Sequence, residues 1–351
     1  MNADFDGFLA ASSNDRRDAF VGASRRLGTA AQNIEKDFWV CWTLDALFNH
    51  IPTGGPRLLF KGGTSLSKAF GLISRFSEDI DITVFREDIG ETASVESLEA
   101  LSGKKRQAKL DAIKDACQAY IGGTFMKQLT AYLQDTFERA QIDQPPKVEL
   151  DLDDVSGQSL LLWYPSVLAA TDGYIRPAIK IECGAKSALD PNSPKIIQPY
   201  VSDELPTLDL TVSNIVTVDA ERTFWDKVVI LHGLRNWFDR RGVLRGGGQR
   251  VSRHYYDVYQ LLVSGTGEVA LADLDLGRDC VRHARMFFNS PDLGLATAAP
   301  GAFNLVPTLA MILDLQRDYA AMSGMVFGDI PDFEAVLDSV AALQQRLNEA
   351  N

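Results

Sequence analysis

Apolar residues recur over the first fifty positions at close to the 3.6-residue period of a helix. In EKDFWVCWTLDALFNH they stand at Phe38, Trp42, Leu44, Leu47 and Phe48, a stripe that predicts an amphipathic helix. PTGGP at 52–56 ends that pattern, and RLLFK at 57–61 reads as a short apolar strand. GGTSLSKAFGLI then opens a helix with Thr64 or Ser65 as its N-cap. DIDITVF at 79–85 alternates polar and apolar positions, the period of a half-buried strand. Residues 91–141 return to a helical pattern and carry a basic segment, GKKRQAK, at 103–109. Between 147 and 218 the chain predicts sheet: KVELDLDD, SLLLWY, YIRPAIKIECG, KIIQPYV and LDLTVSNIVTV, separated by SG, DG and PNSP turn signals. From Glu221 the pattern is helical, through ERTFWDKVVILHGL, HYYDVYQLLV, DCVRHARMFF, VPTLAMILDLQRDYAAM and FEAVLDSVAALQQRL. Between the first two of these, NWFDRRGVLRGGGQR at 236–250 is expected to be a mobile loop. The expected fold is α/β of the mixed α+β kind. A sheet domain spans 1–218 and a helical domain spans 219–351.

Composition narrows the class. Across 351 residues, 46% are hydrophobic and 23% charged, the balance of an ordinary folded protein with ample core material. The net charge of −12 and a pI near 4.9 argue against broad, non-specific adhesion to DNA or to anionic membranes, although a local basic patch remains open. Cys41, Cys117, Cys183 and Cys280 are far apart and form no CxxC pair. That spacing suits neither a disulfide framework nor a zinc ribbon, and fits a reducing, cytoplasmic setting. MNADFDGFLAASSNDRRDAF lacks the basic-then-apolar order of a signal peptide. No apolar stretch approaches the roughly 20 residues that span a bilayer, so a soluble protein without a membrane partner is expected.

The densest chemistry lies in KGGTSLSKAFGLISRFSEDIDI, Lys61 to Ile82. Asp79 and Asp81 are two apart on a strand and so share a face. Two carboxylates that close repel unless a cation lies between them, and oxygen ligands at this spacing suit Mg²⁺. The plain alternative is a pair of solvated aspartates on an exposed edge. Upstream, Gly62 and Gly63 follow a strand and precede a helix, where backbone can approach a phosphate closely. Ser65 adds a hydroxyl. Paired glycines are more often a tight turn needing positive φ. Together, a glycine turn and a DxD about 17 residues apart are more specific than either alone.

These residues resemble the nucleotidyltransferase fold in its AbiEii/AbiGii toxin branch. GGTSL followed by RFSEDIDI is similar to that branch's glycine turn and RxSxDxD run, with Arg75, Ser77, Asp79 and Asp81 in matching places. A downstream helix ending at Lys227, an arginine-rich loop and a helix holding Asp257 extend the likeness over roughly residues 30–265. The resemblance implies a mixed sheet with flanking helices and a C-terminal helical bundle. It also implies a nucleotide site at Gly62, Gly63, Thr64, Ser65, Arg75 and Ser77.

The two later helices can be read independently. Phe224, Val228 and Leu231 mark a buried face, with Lys227 on or beside it, and Asp257 precedes Leu261 by four. A buried lysine needs an anionic partner. One reading is a Lys227–Asp257 ion pair that merely joins helices; the other has Lys227 reach nucleotide phosphates with Asp257 orienting it. A two-metal site wants a third carboxylate. Glu182 in IKIECGAKS is the first candidate, with Lys180 on its strand face, and Asp151 and Asp153 are rivals. Arg235, Arg240, Arg241, Arg245, Arg250 and Arg253 surround Trp237 and Phe238 and are opposed in sequence only by Asp239. Such an island suits phosphates and a stacked base, unless its arginines pair with acidic neighbours. His50, His232, His254 and His283 show no metal-ligand spacing.

The resemblance therefore implies an enzyme that uses Mg²⁺ or Mn²⁺, held by Asp79, Asp81 and Glu182, to transfer NMP from an NTP to a hydroxyl. Lys227 and Asp257 complete the catalytic set, and Arg240, Arg241 and Arg245 hold the acceptor. The implied acceptor is RNA, a tRNA 3′ end, and the implied setting is a bacterial toxin–antitoxin or phage-defence pair with a separately encoded antitoxin. A protein or small-molecule acceptor, or a non-catalytic binding module, are the alternatives.

Overall fold

The computed structural model describes residues 3–51, 54–168, 176–322 and 325–349. The DG turn signal at 172–173, Tyr174 and Ile175, and the first two residues of PTGGP lie outside them. The chain forms two compact units. The first comprises residues 1–69, 76–93 and 107–218; the second comprises 70–75, 94–106 and 219–351. Two short segments from the N-terminal half thus belong with the helical unit. No helix among the described residues is long and apolar enough to cross a membrane.

The first unit holds a mixed sheet of seven strands among the described residues: β1 Leu58–Lys61, β2 Ile80–Val84, β3 Lys147–Leu150, β4 Ser159–Trp163, β5 Ala178–Gly184, β6 Asn192–Ile197 and β7 Val212–Val218. Their order is β3-β4-β5-β2-β1-β7-β6. β1 pairs with β2 antiparallel and with β7 parallel, and β2 pairs with β5 parallel. One face is apolar across the centre, where Phe60, Ile82 and Cys183 stand in register. Ahead of the sheet come helices α1 Ala3–Ala10, α2 Ser13–Leu27 and α3 Ala31–Asp45, the last extended by a π turn over Ala46–His50. α4 Gly62–Lys68 separates β1 from β2. Between β2 and β3 lie α5 Val95–Glu99, α6 Gly103–Tyr120, which carries the basic segment, and α7 Met126–Arg139.

α3 packs against β5 and β7 and is buried almost all round. The apolar stripe read from the sequence is therefore only part of its contact surface. Its buried charges are matched one by one. Glu35 accepts from the Val167 N–H at 2.7 Å, Lys36 meets Glu78 at 2.6 Å, and Asp37 meets Lys68 at 2.7 Å. A buried charge left single would cost far more than a hydrogen-bonded pair.

PNSP is not a turn throughout: β6 begins at Asn192 and Pro194 lies within it. Proline lacks an N–H for the ladder, and β6 tolerates it because it is an edge strand.

The second unit is helical. α8 Ala220–Arg241 packs against α9 Ser252–Val263, α10 Thr266–Ala272 and α11 Leu274–Phe287, while α12 Leu309–Met322 and α13 Phe333–Glu349 pack on α9. Gly277 on α11 faces the Trp225 ring so closely that a Cβ would lie 2.8 Å from it. The Trp225 indole donates to the Ala270 carbonyl at 3.0 Å. His232 joins α8 to a following loop: Nε2 donates to the Gly294 carbonyl at 3.1 Å and Nδ1 accepts from the Asn304 N–H at 3.1 Å. Two such partners fix the neutral tautomer, and burial lowers the imidazole's pKa from its usual value.

The stretch 236–250 is not a loop throughout. α8 continues to Arg241 and stops at Gly242, which ends the helix in the left-handed conformation at φ +69. A 3₁₀ turn follows at Arg245–Gly248, and Asp318 accepts from the N–H groups of Arg250 and Ser252 at 2.7 and 2.6 Å. The helical periodicity carried by Leu234 and Phe238, both buried, outweighs the Gly and Arg content that suggests a loop.

Candidate active site

In the first unit β1 runs directly into α4. Neither Thr64 nor Ser65 is the N-cap; that position is Lys61, without a side-chain capping bond. The turn is made by Gly62 alone, at φ +82. A Cβ there would lie 2.0 Å from Asp81 Oδ2, so both backbone conformation and space exclude a larger residue. The two hydroxyls serve other ends. Thr64 Oγ1 shares a hydrogen bond with Ser77 Oγ at 2.8 Å and donates to the Asp79 carbonyl, and Ser65 Oγ donates to the Gly62 carbonyl at 2.9 Å. Thr64 and Ser65 are fully buried. Thr64 pins residues 77–79 to α4, which sets the approach of the chain to β2, and Ser65 ties down the first turn of α4 at Gly62.

Strand register gathers the polar side chains. Lys61 of β1 stands opposite Asp81 of β2, Asp81 beside Glu182 of β5, and Glu182 opposite Ser159 of β4. Register partners share a face, so these four form a row across the sheet, with carboxylates on strands about 4.8 Å apart. Asp79 immediately precedes β2, two positions from Asp81. Each of the two strand carboxylates has a lysine. Lys61 Nζ is 3.7 Å from Asp81 Oδ1, and Lys180 Nζ is 2.8 Å from Glu182 Oε1. Lys180 also lies 3.3 Å from Asp151 Oδ2. Burial works against the Lys180 ammonium, but Glu182 and then Asp151 outweigh it and raise its pKa.

Asp151 follows the end of β3 and is buried against Lys180, whereas Asp153 is exposed. Among the described residues no group of three or more His, Cys, Asp or Glu side chains is placed to hold a metal ion. The donor chemistry nevertheless fits magnesium, which takes one or two protein carboxylates and completes its shell from water and substrate phosphates.

The second unit contains a separate cluster. Arg75 donates through Nε to Asp257 Oδ1 and through Nη2 to Oδ2, both at 2.8 Å, and Lys227 Nζ donates to Oδ2 at 2.7 Å. Arg75 and Lys227 are buried, and Asp257 is completely so. Burial pushes the Asp257 carboxyl up, but Arg75 and then Lys227 prevail and hold it well below the carboxylate range. Lys227 is shifted down: burial is the main cause, Asp257 opposes it, and Arg75 adds to it. His254, on the same helix as Asp257, has its pKa lowered by burial and by Lys227, and its Nδ1 has no hydrogen-bond partner among the described residues.

Helical spacing alone pairs Lys227 with Asp257 and gives no sign that Arg75 completes the cluster. Arg75 and Asp257 are 182 residues apart, and no local pattern signals such a contact. Lys61 escapes sequence reasoning for a similar reason, since only the β1–β2 register sets it opposite Asp81.

The arginine island is partly neutralised. Arg235 pairs with Asp239 at 2.9 Å, and Arg241 pairs with Asp292 at 2.5 Å. Arg241 and Arg245 lie 5.5 and 5.7 Å from the Trp237 ring centre, within cation–π range. Arg240, Arg241 and Arg245 are exposed.

Residues 45–339 match the model of a family described as nucleotidyl transferase AbiEii toxin, type IV TA system. Among solved structures the chain is similar to MenT4, a nucleotidyltransferase toxin from Mycobacterium tuberculosis H37Rv, at 16% identity and a TM-score of 0.42, over 93% of this chain and 98% of that one. Comparison with curated proteins gave no match.

Proposed function

This chain belongs to the AbiEii family of nucleotidyltransferase toxins of type IV toxin–antitoxin systems, and from that premise we propose what it transfers and how. The reaction is Mg²⁺- or Mn²⁺-dependent transfer of NMP from an NTP to a hydroxyl of RNA, at a tRNA 3′ end. It takes place in the cytoplasm as part of a toxin–antitoxin or phage-defence pair, and a separately encoded antitoxin protein counters it. The observation that carries this reading is the row Lys61–Asp81–Glu182, closed on one side by a glycine whose missing Cβ leaves room for Asp81.

Asp81, with Asp79 or Glu182 beside it, would hold the divalent ion, which would supply positive charge to the attacking and leaving oxygens. The backbone of Gly62 and Gly63 receives the triphosphate. Thr64 and Ser77 act through the bonds that fix residues 77–79, Ser65 acts through its bond to the Gly62 carbonyl, and Arg75 acts through Asp257. Glu182 accepts the proton of the attacking hydroxyl. Lys227 holds phosphate, with Asp257 orienting its ammonium, and Arg240, Arg241 and Arg245 bind the acceptor backbone.

The test is incubation with each labelled NTP, Mg²⁺ and total cell RNA. Label should enter RNA with the wild type and not with Asp79→Asn or Asp81→Asn. Asp81→Asn should shift the melting temperature little, because the Lys61–Asp81 contact it weakens is long, at 3.7 Å, and partly exposed. Near-wild-type transfer by either variant would sink the metal assignment. A protein or small-molecule acceptor is the second reading, favoured by the net charge of −12 and by the Arg241–Asp292 pair; label in those fractions instead of RNA would select it.

A further inference from the structure

The carboxylates proposed to hold metal lie among lysines supplied by the same sheet. Lys61 faces Asp81 across β1 and β2, and Lys180, two residues before Glu182 on one strand face, contacts Glu182 and Asp151 together. Two lysines set against Asp79, Asp81, Asp151 and Glu182 cut the net charge of the carboxylates by half, from −4 to −2. Such a face attracts a free divalent cation weakly, because binding must displace ammonium groups already at hydrogen-bond or ion-pair distance. Asp151 anchors the arrangement. It is buried, it follows β3 directly, and its Oδ1 accepts from the Asp153 N–H at 3.1 Å. Lys180 is therefore held from two sides, and moving it off Glu182 disturbs its contact with Asp151 as well.

We propose that Lys180, anchored by Asp151, is an internal counter-cation that positions Glu182 and keeps the affinity for free metal low, so that the divalent ion is retained only together with the anionic nucleotide. This rests on the nucleotidyltransferase reading above and deepens it. A triphosphate brings the negative charge that the face lacks. It also offers the displaced lysines phosphate oxygens in place of carboxylates. Lys180 is a positioning residue in this scheme, acting on the metal through Glu182.

The experiment is Mn²⁺ binding to the intact protein followed by electron paramagnetic resonance. It is run with Mn²⁺ alone and with Mn²⁺ plus a mixture of the four α,β-methylene nucleoside triphosphates. Wild type should bind Mn²⁺ weakly alone and much more tightly with the analogues. Lys180→Met and Lys180→Gln should each bind Mn²⁺ alone about tenfold more tightly, the scale of removing one nearby, partly screened positive charge. Their gain on adding analogue should shrink by a similar factor. Lys180→Arg, which keeps the charge, should behave as wild type. No tightening in either neutral variant, or the same tightening in Lys180→Arg, would overturn the counter-cation role. Asp81→Asn, measured in parallel, separates the two levels. If it binds Mn²⁺ with analogue as wild type does, the metal site itself is misplaced. If it loses binding while Lys180→Met is unchanged, only the role of Lys180 falls.

Discussion

Gly62 shows how much one missing methyl group decides. Its φ of +82 and the 2.0 Å separation between a hypothetical Cβ and Asp81 Oδ2 act together. Gly62→Ala should cost at least about 1–2 kcal/mol of stability and push the Asp81 carboxylate out of line. Urea unfolding reads the first effect and the transfer assay the second; an alanine variant with wild-type turnover would contradict the placement of Asp81. His232 makes a different residue-scale prediction. Its folded pKa is lowered, so the neutral form is favoured in the folded state. Above pH about 6.5 both states are neutral and nothing changes. As pH falls below that, the unfolded chain takes up a proton that the folded chain refuses, and stability is lost until pH reaches the folded pKa. The melting temperature should therefore drop between about pH 7 and 5.5, and His232→Gln, though less stable at about pH 7, should drop by less. Equal slopes would show that His232 contributes no part of the pH dependence.

At the scale of elements, the Arg75–Asp257–Lys227 cluster changes the expected result of a familiar substitution. A closed Lys–Asp pair can often be exchanged for apolar residues at little cost. Here Lys227→Met with Asp257→Leu would leave the buried Arg75 guanidinium without its bidentate carboxylate. The double variant should be destabilised by about 3–5 kcal/mol, close to the cost of Asp257→Ala alone, and Arg75→Leu added to it should recover part of that loss. Chemical denaturation of the three variants checks this, and a stable double variant would mean that Arg75 finds compensation elsewhere. The helices α3, α8, α9, α11, α12 and α13 are legible in the sequence because their apolar spacing is long and regular. β1 and β2 are legible because they are bounded by turn residues or show alternation. The start of α4 is not, since a hydroxyl inside a helix and one capping it look alike in sequence. Arg241 reads as loop for the opposite reason: local glycines and arginines hide a helix end fixed by the burial of Leu234 and Phe238. The carboxylate row is half legible. Alternation puts Asp79 with Asp81 and Lys180 with Glu182, but only the pairing of β2 with β5, strands far apart along the chain, brings Asp81 beside Glu182.

For the whole molecule, a net charge of −12 means that any nucleic-acid acceptor must be held by a local surface working against the overall field. Changing Arg240, Arg241 and Arg245 together to Ala should make the slope of log affinity for single-stranded RNA against log salt shallower by about 2, as fewer counterions are released. An unchanged slope would mean that these arginines meet no phosphate. The sheet has a second molecular-scale property in the position of Pro194. A seven-stranded open sheet ends in two rows of backbone groups able to template a further strand, and β6 is one of those ends. Pro194 stands opposite Val216 and cannot donate, so a strand arriving from another molecule finds a gap in its ladder. The proline thus works as a stop against polymerisation: Pro194→Thr should fold as before yet scatter light and bind thioflavin T on concentration, where the natural chain stays dispersed.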